Sequence, residues 1–359
     1  MAKKSRNILL PFSVLYGEII RLRNKLFDKD VFRSASFDLP VICIGNLSVG
    51  GTGKSPMVEY VVRILHKNYH VATLSRGYKR KTKGFFIANE NTQTADIGDE
   101  PMQFYRKFPD ITVAVDEDRV MGIPKILNDR PATEVIILDD AFQHRQVKAG
   151  LNILLTECGN LYSNDFMLPA GNLRDVIKSS ERADIIIVTK CNPNLNIEEK
   201  QKIISELKPK PYQKIFFTDI EYNTPYHLFN KEKFCLDEET EVLLVCGIAH
   251  PKTIENEIKS KTASYKLLRF KDHHVFDSID IKKIKDEFSK LKSAKKIILT
   301  TEKDATRLLV FENGFKDLPI FVLPMAHHFL FNQEKEFEKI IFDYVDSARN
   351  LIDIKKGSN

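Results

Sequence analysis

Lys54 and Ser55 close the segment VICIGNLSVGGTGKSP, residues 41–56, directly behind Gly50, Gly51 and Gly53. Those residue types at that spacing suit the gripping of a polyphosphate. Glycines let backbone N–H groups close around phosphate oxygens, and a following helix N-terminus adds partial positive charge. A lysine then bridges oxygens, and a serine hydroxyl reaches Mg2+. The expected nucleotide loop runs through Ser48, Val49, Gly50, Gly51, Thr52, Gly53, Lys54 and Ser55. It departs from the G-x4-G-K-[ST] pattern in carrying Ser48 where the first glycine belongs. A glycine-rich turn of no chemical role is the alternative, but it leaves the order of strand, glycines, Lys-Ser and helix unexplained.

Such a loop needs a carboxylate on the metal side of the phosphates. EVIILDDAFQH, residues 134–144, ends an apolar run in Asp139 and Asp140. A strand ending in acid puts its carboxylates at the carboxyl edge of a sheet, where open α/β folds bind ligands. One would hold Mg2+, and its neighbour would orient that ion or hold a second. The base is expected to be adenine. A guanine reader usually carries Asn-Lys-x-Asp after a late strand, and IIIVTKCN (185–192) lacks both the Asn and the Asp.

Other clusters carry weaker patterns. GDEP, 98–101, opens a helix with Asp99 and Glu100, which as plain capping residues would offset its dipole. SRGYKRKTK, 75–83, holds Arg76 among five bases and no acid, on a loop placed to steer phosphates. KDHHVFD, 271–277, follows another strand. Adjacent histidines on extended chain point apart, so His273 or His274 singly suits a base or hydrogen-bond partner better than both suit a metal. LPAGNLRD, 168–175, brings Arg174 and Asp175, the latter a candidate carboxylate on the outer side of a metal site. TTEKDATRL, 300–308, reads as a helix start capped by Thr301, with Lys303 either a phosphate contact or a solvated charge. His327 and His328 lack acidic neighbours and read as structural.

The elements that must position these groups alternate. Short β-branched runs at Val41–Ile44, Val71–Ser75, Ile111–Val115, Val135–Leu138, Asn152–Thr156, Ile185–Thr189 and Lys214–Thr218 are nearly continuous in hydrophobicity, as strands covered on both faces are. Helical stretches lie between them, which predicts an α/β fold: a doubly wound, mostly parallel sheet of the P-loop type. The pattern loosens around Pro225, and a second, smaller α/β series follows. The expected division is a leader helix over 1–28, a nucleotide-binding domain over 29–230, a smaller α/β domain over 231–332, and a helix over 333–352 that packs back on the first domain.

Composition narrows the function. With 359 residues and 43% apolar content the chain can bury a core, and 55 basic against 49 acidic residues give only +6. That excess is a mild lean toward anions and no signature of nucleic-acid binding. Five cysteines without a CxxC pair fit neither a disulfide scaffold nor a zinc site. Within residues 1–30, seven basic residues stand against three acidic. The apolar run Ile8–Ile20 is interrupted by Pro11 and Glu18, and a bilayer needs about 20 residues to cross. Leu15, Ile19, Leu22 and Leu26 recur at helical spacing among Arg21, Arg23 and Lys25. This predicts a helix lying in an anionic membrane surface, with packing on the domain as the alternative.

Taken in order, LLPFSVLYGEIIRLRN, IGNLSVGGTGKSP, LSRGYKR, GDEP, LDDAFQHR, LPAGNLRD, CGIAHP, DHH and TTEKDA resemble the tetraacyldisaccharide 4'-kinase family of lipid A biosynthesis over nearly the whole chain. The resemblance implies transfer of the γ-phosphoryl of ATP, with Mg2+, to the 4'-hydroxyl of a tetraacylated disaccharide 1-phosphate. It implies work at the cytoplasmic face of the bacterial inner membrane as a peripheral or monotopic protein. The partners it implies are the acylated disaccharide and the membrane surface, with no nucleic acid and no obligate protein partner. By the same resemblance Lys54 handles phosphate, while Ser55, Asp139, Asp140 and Asp175 serve the metal. Asp99 acts as base with His273, and Arg76, Arg119, Gln143 and His144 support nucleotide or substrate. Ala141 stands where the family pattern has glycine, and Asp175 where it has glutamate. The shorter reach of Asp175 implies contact with the metal through water. A carboxylate coupled to a histidine is expected to titrate near working pH. A nucleotide switch, a metal-delivery NTPase and a soluble small-molecule kinase share the loop and stand as alternatives.

Overall fold

A computed structural model describes the backbone of residues 7–248 and 251–357, with side chains over 8–248 and 251–351. Ala249 and His250 of the CGIAHP segment, the leader's first six residues and the tail's last two therefore lie outside the described residues.

The first sheet has nine strands: β1 (Val41–Asn46), β2 (Val71–Ser75), β3 (Phe86–Ile87), β4 (Thr112–Val115), β5 (Val135–Asp139), β6 (Leu151–Glu157), β7 (Ile185–Thr189), β8 (Lys214–Tyr222) and β14 (Met325–Phe329). Their order is β14-β8-β7-β6-β1-β5-β2-β4-β3. All pairings are parallel except those of the edge strands β3 and β14. Successive side chains of β1 alternate between two cores, Ile42 and Ile44 into one, Val41 and Cys43 into the other. A strand covered on both faces needs apolar residues throughout, which is why the period-two signal is missing from its sequence.

The second sheet orders β11 (Ser264–Arg269), β10 (Glu241–Cys246), β12 (Lys296–Thr301), β13 (Ile320–Leu323) and β9 (Tyr226–His227), with β9 alone antiparallel. Two strands cross the expected division at 230/231. β9 pairs with β13 and belongs to the second sheet, whereas β14 pairs with β8 and returns to the first. The smaller unit is thus an excursion from the first sheet's edge, leaving after β8 and coming back at Pro324, whose carbonyl accepts from Asn223 N (3.0 Å). Two-residue β9 is too short for periodicity to assign, and β14 carries two histidines where an apolar run would be expected.

The terminal helix Glu334–Gly357 packs Phe337, Ile341 and Val345 into the first unit's core. At the other end the helix Leu10–Asp28 docks in the opposite sense. Its buried residues are Ser13, Gly17, Asn24 and Phe27, while Phe12, Leu15, Ile19 and Leu22 are 57–62% exposed. Ser13 accepts from Ala170 N (2.9 Å), Tyr16 donates to Arg174 O (3.2 Å), and Asn24 donates to Asp175 (2.9 Å) and Ser179 (3.0 Å). Polar bonds fasten this helix, and its apolar stripe faces outward.

Candidate active site

Register decides where the chemistry sits. In the β1–β5 pairing Ile44 lies opposite Asp139, so the loop after β1 and the acids ending β5 share one edge of the sheet. The helix Lys54–Leu65 starts from Gly53, whose φ of +84° is the left-handed conformation that glycine adopts freely. Its floor is tied down from neighbouring segments: Thr189 Oγ1 donates to Thr52 O (2.9 Å), Val49 N to Asn172 O (2.8 Å), and Arg174 N to Leu47 O (2.8 Å). Ser48 bridges Leu173, so LPAGNLRD serves as the loop's brace. Gly50 and Gly51 face open space.

Asn46, at the end of β1, organises the polar groups. It donates to Thr52 Oγ1 (2.9 Å) and accepts from Lys54 (3.3 Å) and Arg174 (2.6 Å) at Oδ1, while its carbonyl accepts from Gln143 (2.7 Å). Lys54 is 3.7 Å from Asp140, and Arg174 grips both oxygens of that carboxylate. Burial would raise Asp140, but Lys54 and Arg174 hold it below its ordinary range. Asp139 differs. It is 6% exposed, and its buried Oδ1 has no hydrogen-bond partner among the described residues. Burial, with Asp140 beside it, pushes Asp139 up to about 7. An orphaned buried carboxylate oxygen next to an ionised aspartate, on the sheet edge that also carries Ser55 in the loop after β1, offers oxygen donors only, which fits a small hard cation such as Mg2+.

The second cluster spans both units. The helix Asp99–Lys107 starts from Gly98, held at φ +95° with Tyr78 O only 2.9 Å from where a Cβ would stand. Asp99 is buried, and its Oδ2 lies 2.7 Å from Nδ1 of His273 in the loop after β11. Lys303, in the helix Glu302–Leu308 after β12, donates to His273 Nε2 (3.1 Å). Because an ammonium only donates, Nε2 is unprotonated and Nδ1–H donates to Asp99. Lys303 also reaches Glu100 (3.3 Å) and Asp272 (3.3 Å), and Arg307 lies 3.5 Å from Asp99. Burial works to raise Asp99, yet the His273 bond, Arg307 and Lys303 together hold it below the usual carboxylate range. The expected titration near working pH is therefore absent from Asp99. His274 turns away to Asp280 (2.6 Å) within its own unit. Glu100 links the two clusters, since its charge also bears on Asp139.

The remaining expected residues divide. Arg119 is buried near Asp139, Asp140 and exposed Arg76. His144 is half-buried, and burial together with Arg119 pushes it down to about 4. Asp175 does not fit a metal role: its oxygens are taken by Asn24, Ser179, Val176 N and Arg182 (3.1 Å). It fastens the leader helix instead. Asn46, Thr189 and Arg307 join these clusters although motif gave them no role, while Arg174 and Lys303, noted in their motifs, make contacts that the motifs did not specify. For Lys303 and Arg307 the signal was spacing, i and i+4 on one face of a helix start.

A family model described as Tetraacyldisaccharide-1-P 4'-kinase matches residues 5–346. A tetraacyldisaccharide 4'-kinase of Parabacteroides distasonis is 46% identical over 96% of this chain and 96% of that protein. Another, of Flavobacterium johnsoniae, is 45% identical over 95% and 97%. A crystal structure of "apo" form LpxK from Aquifex aeolicus in complex with ATP superposes with a TM-score of 0.74 at 31% identity, covering 95% of this chain and 99% of that one. With two α/β units, a phosphate loop beside an acidic strand end, and matches of this extent, the chain belongs to the tetraacyldisaccharide-1-P 4'-kinase family.

Proposed function

We propose that the chain transfers the γ-phosphoryl of ATP to the 4'-hydroxyl of a tetraacyldisaccharide 1-phosphate at a membrane surface, with Asp99, paired to His273, receiving the hydroxyl proton. The observation that carries this reading is the 2.7 Å Asp99–His273 contact made across the two units, beside the phosphate-loop edge. Backbone amides of residues 50–55 and Lys54 hold the phosphates, and Ser55, Asp139 and Asp140 hold the metal. Bound there, Mg2+ supplies charge neutralisation on the phosphate oxygens. Asp99 stays ionised and accepts a hydrogen bond from the sugar hydroxyl, which aligns it for attack. A loose phosphoryl-transfer transition state asks for little basicity until late, so a carboxylate of low pKa suffices; the proton passes to Asp99, and His273, donating from Nδ1, holds that carboxylate in place. Arg119 and Arg76 add positive charge near the departing diphosphate.

The outward stripe Phe12, Leu15, Ile19 and Leu22 supports docking on a lipid surface. Among the described residues no helix is long and apolar enough to cross a membrane. We place the enzyme on the cytoplasmic face of the inner membrane as a peripheral protein, since ATP is cytoplasmic. The test incubates labelled ATP with the tetraacyldisaccharide 1-phosphate and locates the new phosphate. Label on the 4'-oxygen is expected; hydrolysis without a sugar product overturns the reading. A Leu15→Gln/Ile19→Gln variant, otherwise folded, should leave anionic vesicles on sedimentation, and undiminished binding would remove the stripe from membrane contact.

A further inference from the structure

We propose that His327 is a positioning residue of the phosphate loop, orienting the amide that follows Gly53. The inference rests on the reading that this loop binds a nucleotide. His327 is 3% exposed on β14, the strand that returns from the second unit into the edge of the first sheet. Its Nε2 lies 2.8 Å from the carbonyl oxygen of Gly53, and its Nδ1 lies 2.9 Å from Thr218 Oγ1 on the paired strand. A carbonyl only accepts, so Nε2 carries the proton, and Nδ1 accepts from the threonine hydroxyl. Burial pushes the ring down to about 4, so it is neutral at working pH and keeps this tautomer.

The consequence follows from peptide planarity. In a trans peptide the C=O and the next N–H point in opposite directions. With the Gly53 carbonyl drawn onto His327, the N–H of Lys54 is turned the other way. Thr189 does the same one residue earlier, by donating to Thr52 O (2.9 Å), which sets the N–H of Gly53. The Gly53 carbonyl also accepts from Met57 N (3.2 Å), the first bond of the helix, so His327 adds a shorter side-chain bond to that oxygen, and two consecutive amides each have a buried side-chain donor. The fit is close: a Cβ on Gly53 would stand 3.0 Å from the imidazole, a tight contact on a backbone whose φ of +84° already favours glycine. His328, next along the strand, faces the other side and pairs with Asp219 (2.8 Å), as strand alternation requires.

The experiment measures ATP binding with Mg2+ by calorimetry on the full chain and on His327→Phe, His327→Gln and Thr218→Val. The Phe ring keeps the bulk and loses the donor; the Gln amide places a donor near the position of Nε2. Expected are an ATP Kd raised about tenfold for Phe, the size of one lost buried hydrogen bond, and recovery to within about threefold for Gln. Thr218→Val, which frees the ring to turn, should fall between. Equal Kd for native, Phe and Val proteins overturns the assignment, as does equal weakening by Phe and Gln. Should the Phe variant fail to fold, Thr218→Val decides, and a native Kd there overturns it. Native binding is the control: if the native chain binds no ATP, the functional reading fails instead.

Discussion

Asp99 and Asp139 are the same residue, buried alike at 7% and 6% exposed, yet their carboxyls are shifted in opposite directions. Asp99 accepts a hydrogen bond from His273, lies near the positive charges of Arg307 and Lys303, and is held low. Asp139 has a second carboxylate beside it and an oxygen with no partner, and it is pushed up to about 7. Burial disfavours the charged form at both; what differs is whether the compensation is built in or left to a ligand. Asp99 is complete within the chain once the two units meet. Asp139 has no such compensation among the described residues, and a cation bound as proposed would supply it.

The largest expected effect comes from breaking the complete partner. Asp99→Asn keeps shape and most hydrogen bonds but cannot accept a proton, so kcat should fall by about 10²–10⁴. The Kd for MgATP should stay within about twofold, because the nucleotide is held at the other cluster. Turnover within tenfold of native would show that the hydroxyl is activated elsewhere.

Asp139→Asn should produce the converse pattern. It removes the charge that awaits the metal, so MgATP affinity should fall by about 10–10²-fold, as loss of a charge-assisted ligand contact implies. Metal-free ATP binding should be unchanged or tighter. The same substitution should stabilise the metal-free protein. A raised carboxyl binds its proton in the folded state before the unfolded chain does, so the native protein loses stability as pH rises from about 4 through about 7. At pH 8 the buried charge is fully present, and the Asn variant should melt a few degrees higher. Below about pH 4, where the carboxyl is protonated folded and unfolded alike, the difference should vanish. A native protein that melts higher at pH 8 would mean that Asp139 is already compensated.

This contrast was only half legible in the sequence. The hhhhDD strand end and the GGTGKS loop could be expected on one edge because both are local patterns on strand ends, and the β1–β5 register brings them together there. Asp99 and His273 are 174 residues apart, and local pattern makes them a helix cap and a loop histidine; only the family resemblance paired them. Lys303, which the sequence offered only as a phosphate contact or a solvated charge, and Arg307 add to the His273 bond in lowering Asp99, a long-range effect that local pattern does not show. Helical periodicity showed that the helices Leu10–Asp28 and Glu334–Gly357 each have an apolar side, but not which side is covered. Phe337, Ile341 and Val345 went inward, whereas Leu15, Ile19 and Leu22 went outward, because Ser13 and Asn24 found polar partners on the domain. For Asp175 the motif carries no sign of its partners, because Asn24, Ser179 and Arg182 come from other segments or from further along the chain.

The smallest effect, and the sharpest test of the difference, is the pH dependence of binding. Asp139 must lose its proton before a cation can take its oxygen, so MgATP affinity should rise with pH through about 7 and level off above it. Asp99 is held low and is already ionised across that range, so it contributes nothing to the rise. The γ-phosphate of ATP also titrates near neutrality, which makes the native slope alone ambiguous. The comparison with Asp139→Asn removes that ambiguity, since the nucleotide contributes equally to both. A shallower slope in the variant, by up to tenfold in Kd per pH unit below 7, assigns the remainder to Asp139. Identical slopes would mean that Asp139 is ionised well below neutrality, and that its unpartnered oxygen is satisfied by something other than a metal.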